Sequence, residues 1–164
     1  MPTKKRVLFL CTGNSCRSQM AEGLMNHMAG DRFEAFSAGA NPAESVHPIA
    51  IRVLKEIGIE ISDRTPKPLN AYMHEPFDFV ITVCDNAKEA CPVLPGHRIN
   101  AHWGFEDPAK FEGSDEAKYH FFSTTLMEIE YRIRLFIELN EGFHAAVHHI
   151  GTLKKGDVPS YSFA

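Results

Sequence analysis

The chain has 164 residues and lacks any window near the ~20 consecutive apolar residues that a membrane-spanning helix needs. No membrane association is therefore expected. Positive charge is also scarce, with 17 Lys and Arg against 21 Asp and Glu. The resulting formal charge of −4 argues against nucleic acid as a partner, and an anionic ligand would have to be drawn by a local site. After Met1-Pro2-Thr3-Lys4-Lys5-Arg6 the apolar stretch Val7–Leu10 is too short for a signal peptide, so a cytoplasmic protein is expected. Repeats, linkers and low-complexity tracts are missing. Four cysteines are too few for a disulfide scaffold of this length, and in a reducing compartment they point to catalysis or redox chemistry. Their spacings, Cys11 to Cys16 and Cys84 to Cys91, do not fit a zinc site, and neither do His144, His148 and His149, so no metal is expected there.

What the sequence does contain is one concentrated stretch, Cys11-Thr12-Gly13-Asn14-Ser15-Cys16-Arg17-Ser18, between the apolar run Val7-Leu8-Phe9-Leu10 and a helix-compatible segment. A thiol thus leaves a buried strand, crosses a tight loop and meets a helix N-terminus, where loop amides and the helix dipole favour an anion. Gly13 can supply positive φ, and Asn14 tolerates it. The planar guanidinium of Arg17 suits two oxygens of a tetrahedral oxyanion. The same field is expected to pull the Cys11 thiol from its ordinary ~8.5 into the ~3.5–7.5 range of activated cysteines, with Ser18 donating to the thiolate. Thr12 to Ser18, Cys16 included, would form the anion-binding loop around the Cys11 nucleophile.

Taken in order, residues 6–10 read as a strand covered on both faces and 17–29 as a helix stopped at Gly30. Residues 33–38 read as a second strand. A helix opens at Pro48 and stops at Gly58, and Ile59-Glu60-Ile61 is a candidate short strand. Strands follow at 77–83 and 98–102, with a short helix-compatible piece at 85–91. After the N-cap Ser114, the positions Tyr119, Phe122, Leu126, Ile129, Ile133 and Ile137 step at helical spacing. Alternation of strands and helices predicts an α/β fold: a doubly wound, mainly parallel four-stranded sheet flanked by helices. In such a sheet Cys11 and Cys84, both at strand carboxyl ends, would face one pocket.

Two further features carry chemistry. Asp107 precedes Pro108 in the aromatic loop from His102, where Trp103 and Phe105 would partly desolvate its carboxyl group and make it a general acid; an exposed Asx-turn is the alternative. Cys84 and Cys91 would stand ~10.5 Å apart in an intact helix at ~1.5 Å per residue. A disulfide needs Cα atoms at ~4.4–6.8 Å, so pairing would require the segment to unwind, whereas two buried reduced thiols would not.

These motifs together resemble the arsenate reductases built on the low-molecular-weight protein tyrosine phosphatase fold, most of all the thioredoxin-coupled class. The resemblance runs from about Arg6 to Asn140 and is carried by residues 11–23, Ser37-Ala38-Gly39, Cys84 with Cys91 and Pro92, and His102 to Pro108. It implies a domain at 1–140 followed by an extension at 141–164 of unassigned role. It further implies that Cys11 attacks arsenate held by the loop amides and Arg17, with Asp107 protonating the departing oxygen. Cys84 then releases arsenite by forming a Cys11–Cys84 disulfide, and Cys91 converts this to Cys84–Cys91, which thioredoxin reduces. No cofactor beyond thioredoxin is implied, and a monomer is expected. Cys16 receives no step. Some members of the family bind potassium through residues matching Asn14, Glu22 and Ser37, with an aspartate where this chain has Lys67. That lysine removes an anionic ligand, and its ammonium is expected to replace the cation. Two other readings use the same residues: a tyrosine phosphatase, although Ala109-Lys110 stand where such enzymes place aromatics, and a non-catalytic redox sensor built on the Cys84–Cys91 pair.

Overall fold

The computed structural model describes residues 3–85, 92, 94 and 99–139. The central strand, β1 (Lys5–Cys11), contains Val7-Leu8-Phe9-Leu10, all fully buried. Val7 and Phe9 enter one core cluster and Leu8 and Leu10 another, which is why the strand reads as a continuous apolar run with no polar face. The other elements are α1 (Arg17–Ala29), β2 (Phe33–Gly39), α2 (Pro48–Glu56), β3 (Phe79–Thr82), β4 (Ile99–His102) and α3 (Asp115–Glu138).

The four strands are all parallel, in the order β2-β1-β3-β4. The chain steps from β1 to β2 on one side and then returns to place β3 on the other. Strand order therefore reverses at β1, and the crevice beyond the carboxyl ends of β1 and β3 is where ligands bind in open α/β sheets.

The three described helices share one face of the sheet. Met20 and Leu24 of α1, Val53 and Leu54 of α2, and Phe122, Ile129, Ile133 and Phe136 of α3 pack with Val7 and Phe9. Burial of each large apolar side chain stabilises the fold by about 1.5–3 kcal/mol. On the opposite face Leu8, Leu10 and Val80 are covered by Phe77, Leu94 and the 3-10 turn Leu69–Tyr72. Trp103 is fully buried, with ring centroids 6.1 Å from Phe9 and 5.9 Å from Phe136.

Local signals set the helix ends. His47 Nδ1 accepts from the Ile49 amide ahead of Pro48, and Gly58 leaves α2 at φ 85°. Ser114 Oγ accepts from the Ala117 amide to start α3. Ile59 and Ile61 are buried as expected, but they form no strand. The Ile59 amide is used to cap α2 through Leu54 O, and the Ile61 carbonyl closes a turn with Arg64. The two side chains pack over Gly23 of α1, where an added Cβ would lie 3.4 and 3.5 Å from them. The third strand is shorter than 77–83, although Asp78 and Val83 still donate to Arg6 O and Leu10 O of β1. The helix-compatible piece 85–91 beyond Asp85, Cys91 and the extension 141–164 with its three histidines lie outside the described residues. Among the described residues no helix is long and apolar enough to cross a membrane.

Candidate active site

The site begins where β1 ends. The carbonyls of Cys11, Thr12, Gly13 and Ser15 accept from the amides of Ala40, Asn41, Ala43 and His47. Because carbonyl and following amide point in opposite directions across a trans peptide, the amides of Thr12, Gly13, Asn14 and Cys16 turn to the other side of the loop. That side is the one the thiol occupies, since the Asn14 amide donates to Cys11 Sγ at 3.1 Å. The segment after β2 thus pulls the loop carbonyls away and leaves a concave row of donors.

Gly39 makes this approach possible. A Cβ there would stand 2.7 Å from Thr12 O and 2.9 Å from the Asn14 nitrogen. Of the two residues in the loop suited to left-handed backbone, Gly13 and Asn14, it is Asn14 that takes it, at φ 50°. The Asn14 side chain repays that conformation with hydrogen bonds: Oδ1 accepts from Gln19 Nε2 and the Lys67 amide, and Nδ2 donates to Ser18 Oγ at 2.7 Å. Ser18 Oγ lies 2.8 Å from Cys11 Sγ. Against a thiolate the hydroxyl is necessarily the donor, so the sulfur has one backbone and one side-chain donor.

Arg17 is 2 % exposed, donates from Nη1 to the Phe105 carbonyl at 3.0 Å, and carries Asp107 Oδ2 3.6 Å from Nη2. The guanidinium is thus held by the loop between β4 and α3. Asp107 also accepts from the Ala109 amide through Oδ1, capping the turn Pro108–Lys110, so the Asx-type turn forms while Oδ2 faces Arg17. The expected aromatic shield is absent. Trp103 lies in the core and Phe105 is buried beneath the Arg132 guanidinium, 4.2 Å from its ring; the carboxyl group's neighbour is Arg17.

Cys11, Thr12, Gly13, Ser15, Cys16, Arg17, Asp107 and Lys110 line a cavity of about 130 Å³, a volume suited to a tetrahedral oxyanion. Beside it opens a pocket of about 330 Å³ lined by Asp85, Glu106, Phe111, Glu112 and Phe121, sharing Asp107 and Lys110. Lys110 was not singled out from the sequence as a site residue; only the Pro108–Lys110 turn brings its charge to the cavity. Cys16 is a free thiol with its pKa pushed up to about 12, chiefly by burial, which suits a neutral packing role. Cys11 is free as well. Cys84 is fully buried just beyond β3 and is disulfide-bonded.

The corner behind the loop bears on cation binding. The carboxylate of Glu22, 5 % exposed, is paired with the Arg64 guanidinium. Lys67 gives its backbone amide to Asn14, while its ammonium lies 3.5 Å from Thr65 O. Burial and the Arg64 charge lower the Lys67 pKa. The cationic partner of Glu22 is therefore Arg64 and not the expected Lys67. With Glu22 so neutralised, the donor set as arranged does not fit a bound potassium ion. Among the described residues no group of three His, Cys, Asp or Glu could hold a metal.

Comparison with known proteins agrees with this geometry. The family model described as low molecular weight phosphotyrosine protein phosphatase matches residues 6–146. An arsenate reductase of Halalkalibacterium halodurans is 46% identical over 135 residues, covering 82% of this chain and 96% of the relative. The crystal structure of an arsenate reductase from Archaeoglobus fulgidus superposes with a TM-score of 0.68 at 36% identity, covering 81% of this chain and 99% of that one. A thioredoxin-dependent arsenate reductase from Corynebacterium glutamicum aligns with a TM-score of 0.55 at 33% identity, over 81% of this chain and 63% of that one.

Proposed function

Because the chain belongs to the low molecular weight phosphotyrosine protein phosphatase family, and has arsenate reductases among its relatives, we propose that it reduces arsenate to arsenite by a relay of three cysteines. The Cys11 thiolate attacks arsenic held by the loop amides and Arg17, forming an S–As bond, and Asp107 protonates the departing oxygen. Cys84 then attacks the Cys11 sulfur. The S–As bond breaks with its electron pair passing to arsenic, so As(V) leaves as As(III) and a Cys11–Cys84 disulfide remains. Cys91 attacks Cys84, returns Cys11 as a thiol and leaves a Cys84–Cys91 disulfide. A thioredoxin dithiol reduces that bond by exchange. No other cofactor enters the scheme.

The observation that carries this reading is a second thiol position, Cys84, just past the end of the strand paired with β1. Val83 donates to Leu10 O at 2.8 Å, and phosphate-ester hydrolysis has no use for a cysteine there. A disulfide-bonded Cys84 beside a free Cys11 also suits the end of the relay. Thioredoxin as the reductant rests on the Corynebacterium glutamicum relative. The test is NADPH oxidation with arsenate, thioredoxin and thioredoxin reductase. Wild type should turn over, and Cys11→Ser, Cys84→Ser and Cys91→Ser should not. Sustained turnover by Cys91→Ser would overturn the three-thiol relay.

One observation favours a second reading. Phe111 and Phe121 stack at 4.7 Å along the 330 Å³ pocket beside the anion cavity, where an aryl phosphate could place its ring. Hydrolysis of an aryl phosphate with no arsenite production would make the protein a phosphatase.

A further inference from the structure

We infer that Arg64 is a positioning residue for the anion loop, a built-in cation that holds the segment 64–67 against Asn14 and so sets the donors to Cys11. The inference rests on the reading of that loop as an oxyanion site. Glu22 lies on α1 four residues after Ser18, almost wholly buried behind a loop that must accept a negatively charged ligand. An unpaired carboxylate there would oppose both folding and anion binding, and the Arg64 guanidinium supplies the countercharge.

The same segment then reaches the loop and the two elements that flank it through three contacts. Thr65 O accepts from Gln19 Nε2 at 3.3 Å, the Lys67 amide donates to Asn14 Oδ1 at 2.8 Å, and Lys67 O accepts from the Gly39 amide at 2.9 Å. With Oδ1 fixed in this way, Asn14 keeps Nδ2 on Ser18 Oγ, and Ser18 stays on Cys11 Sγ. A left-handed φ of 50° at a non-glycine residue needs such support from its surroundings. The Arg64–Glu22 pair therefore anchors the far end of a chain of contacts that finishes at the thiol.

Removing Arg64 would leave the buried Glu22 carboxylate without its countercharge. Gln19 Oε1, one turn before Glu22 on the same helix, and Ser37 Oγ of β2 are also buried without hydrogen-bond partners among the described residues. A weakly hydrated monovalent cation would then supply the charge that Glu22 had lost.

The experiment compares thermal unfolding of wild type, Arg64→Ala and Arg64→Lys in potassium chloride and in choline chloride at equal ionic strength. It also measures, by mass spectrometry, the rate of Cys11 carboxymethylation by iodoacetate. Neither readout uses arsenate, so failure here is separate from failure of the proposed activity. Wild type should melt at the same temperature in both salts. Arg64→Ala should melt several degrees lower in choline, recover in potassium, and modify Cys11 about tenfold more slowly in choline than in potassium. Arg64→Lys should stay near wild type in both salts. Should Arg64→Ala fail to fold, the double variant Glu22→Gln/Arg64→Gln leaves no bare carboxylate and carries the test; it should show slowed Cys11 modification with no difference between salts. Potassium stabilising wild type, an equal loss for Arg64→Ala in both salts, or an unchanged rate of Cys11 modification in Arg64→Ala in choline or in the double variant would overturn the inference.

Discussion

The Val83 amide donates to the Leu10 carbonyl at 2.8 Å, one residue before each of two cysteines. Cys11 and Cys84 therefore leave neighbouring parallel strands at the same end of the sheet, where strands lie ~4.8 Å apart. Electron transfer between two thiols needs that proximity, whereas anion binding by the loop does not.

Separation of the two roles is the first expectation. Cys84→Ser should abolish arsenate turnover and leave slow hydrolysis of p-nitrophenyl phosphate within about twofold of wild type. Parallel loss of both activities would mean that Cys84 supports the loop itself.

Ser18→Ala removes the side-chain donor 2.8 Å from the Cys11 sulfur. A hydrogen bond to a charged group is worth about 1.5–3 kcal/mol. The kcat/KM for arsenate should fall about tenfold or more, and Cys11 modification at neutral pH should slow with it. Equal rates for the variant and wild type would exclude Ser18 as a donor.

Lys110 stands at the cavity mouth with its charge exposed to solvent. Its contribution is attraction of an anion and is screened by salt. Lys110→Ala should raise KM for arsenate several-fold at low ionic strength, leave kcat nearly unchanged, and lose the difference in concentrated salt.

Gly39→Ala should be poorly tolerated even though the backbone there is not left-handed. The new methyl would meet the Thr12 carbonyl at 2.7 Å, and the loop would have to move outward. Overpacking of this kind costs about 1–3 kcal/mol. Both the melting temperature and oxyanion affinity, read by inhibition with phosphate, should fall.

His47 gives a pH dependence with a definite sign. Its Nδ1 accepts from Ile49 at 3.1 Å, its ring lies 4.7 Å from Phe122, and its amide holds the Ser15 carbonyl of the loop. Burial lowers its pKa from 6.5, opposed by Asp107 and assisted by Lys118. The neutral ring is the folded form, so its stabilisation is complete above the unfolded value and is lost as pH falls below about 6.5 through the lowered folded pKa. His47→Asn keeps a capping side chain and should flatten the decline in stability over that range. An unaltered acid limb in urea titrations would assign the pH dependence to other groups.

Much of the fold was legible because its signals are local. The buried run Val7–Leu10, Pro48 with Gly58, and Ser114 before a helical stripe each specify an element through neighbouring residues. Where reading failed, a distant partner had taken over. Ile59 and Ile61 look like a strand but spend their backbone on a helix cap and a turn. Trp103 and Phe105 look like a shield for Asp107, yet the core claims the first and Arg132 the second. Phe136 escaped the helical pattern although it packs on Phe33, Phe79 and Trp103.

By itself the sequence determined the candidate loop: a thiol, five further residues and a helix start are contiguous, so backbone geometry and the helix dipole act on one short stretch of chain. Only the tertiary structure decided what surrounds that loop. Reversal of strand order at β1 set Cys84 beside Cys11, the segment after Gly39 turned the loop carbonyls outward, and Arg64 rather than Lys67 met Glu22. These pairings join residues tens of positions apart, and the order of strands in the sheet and the reach of side chains across it fix them, neither of which is encoded in local spacing.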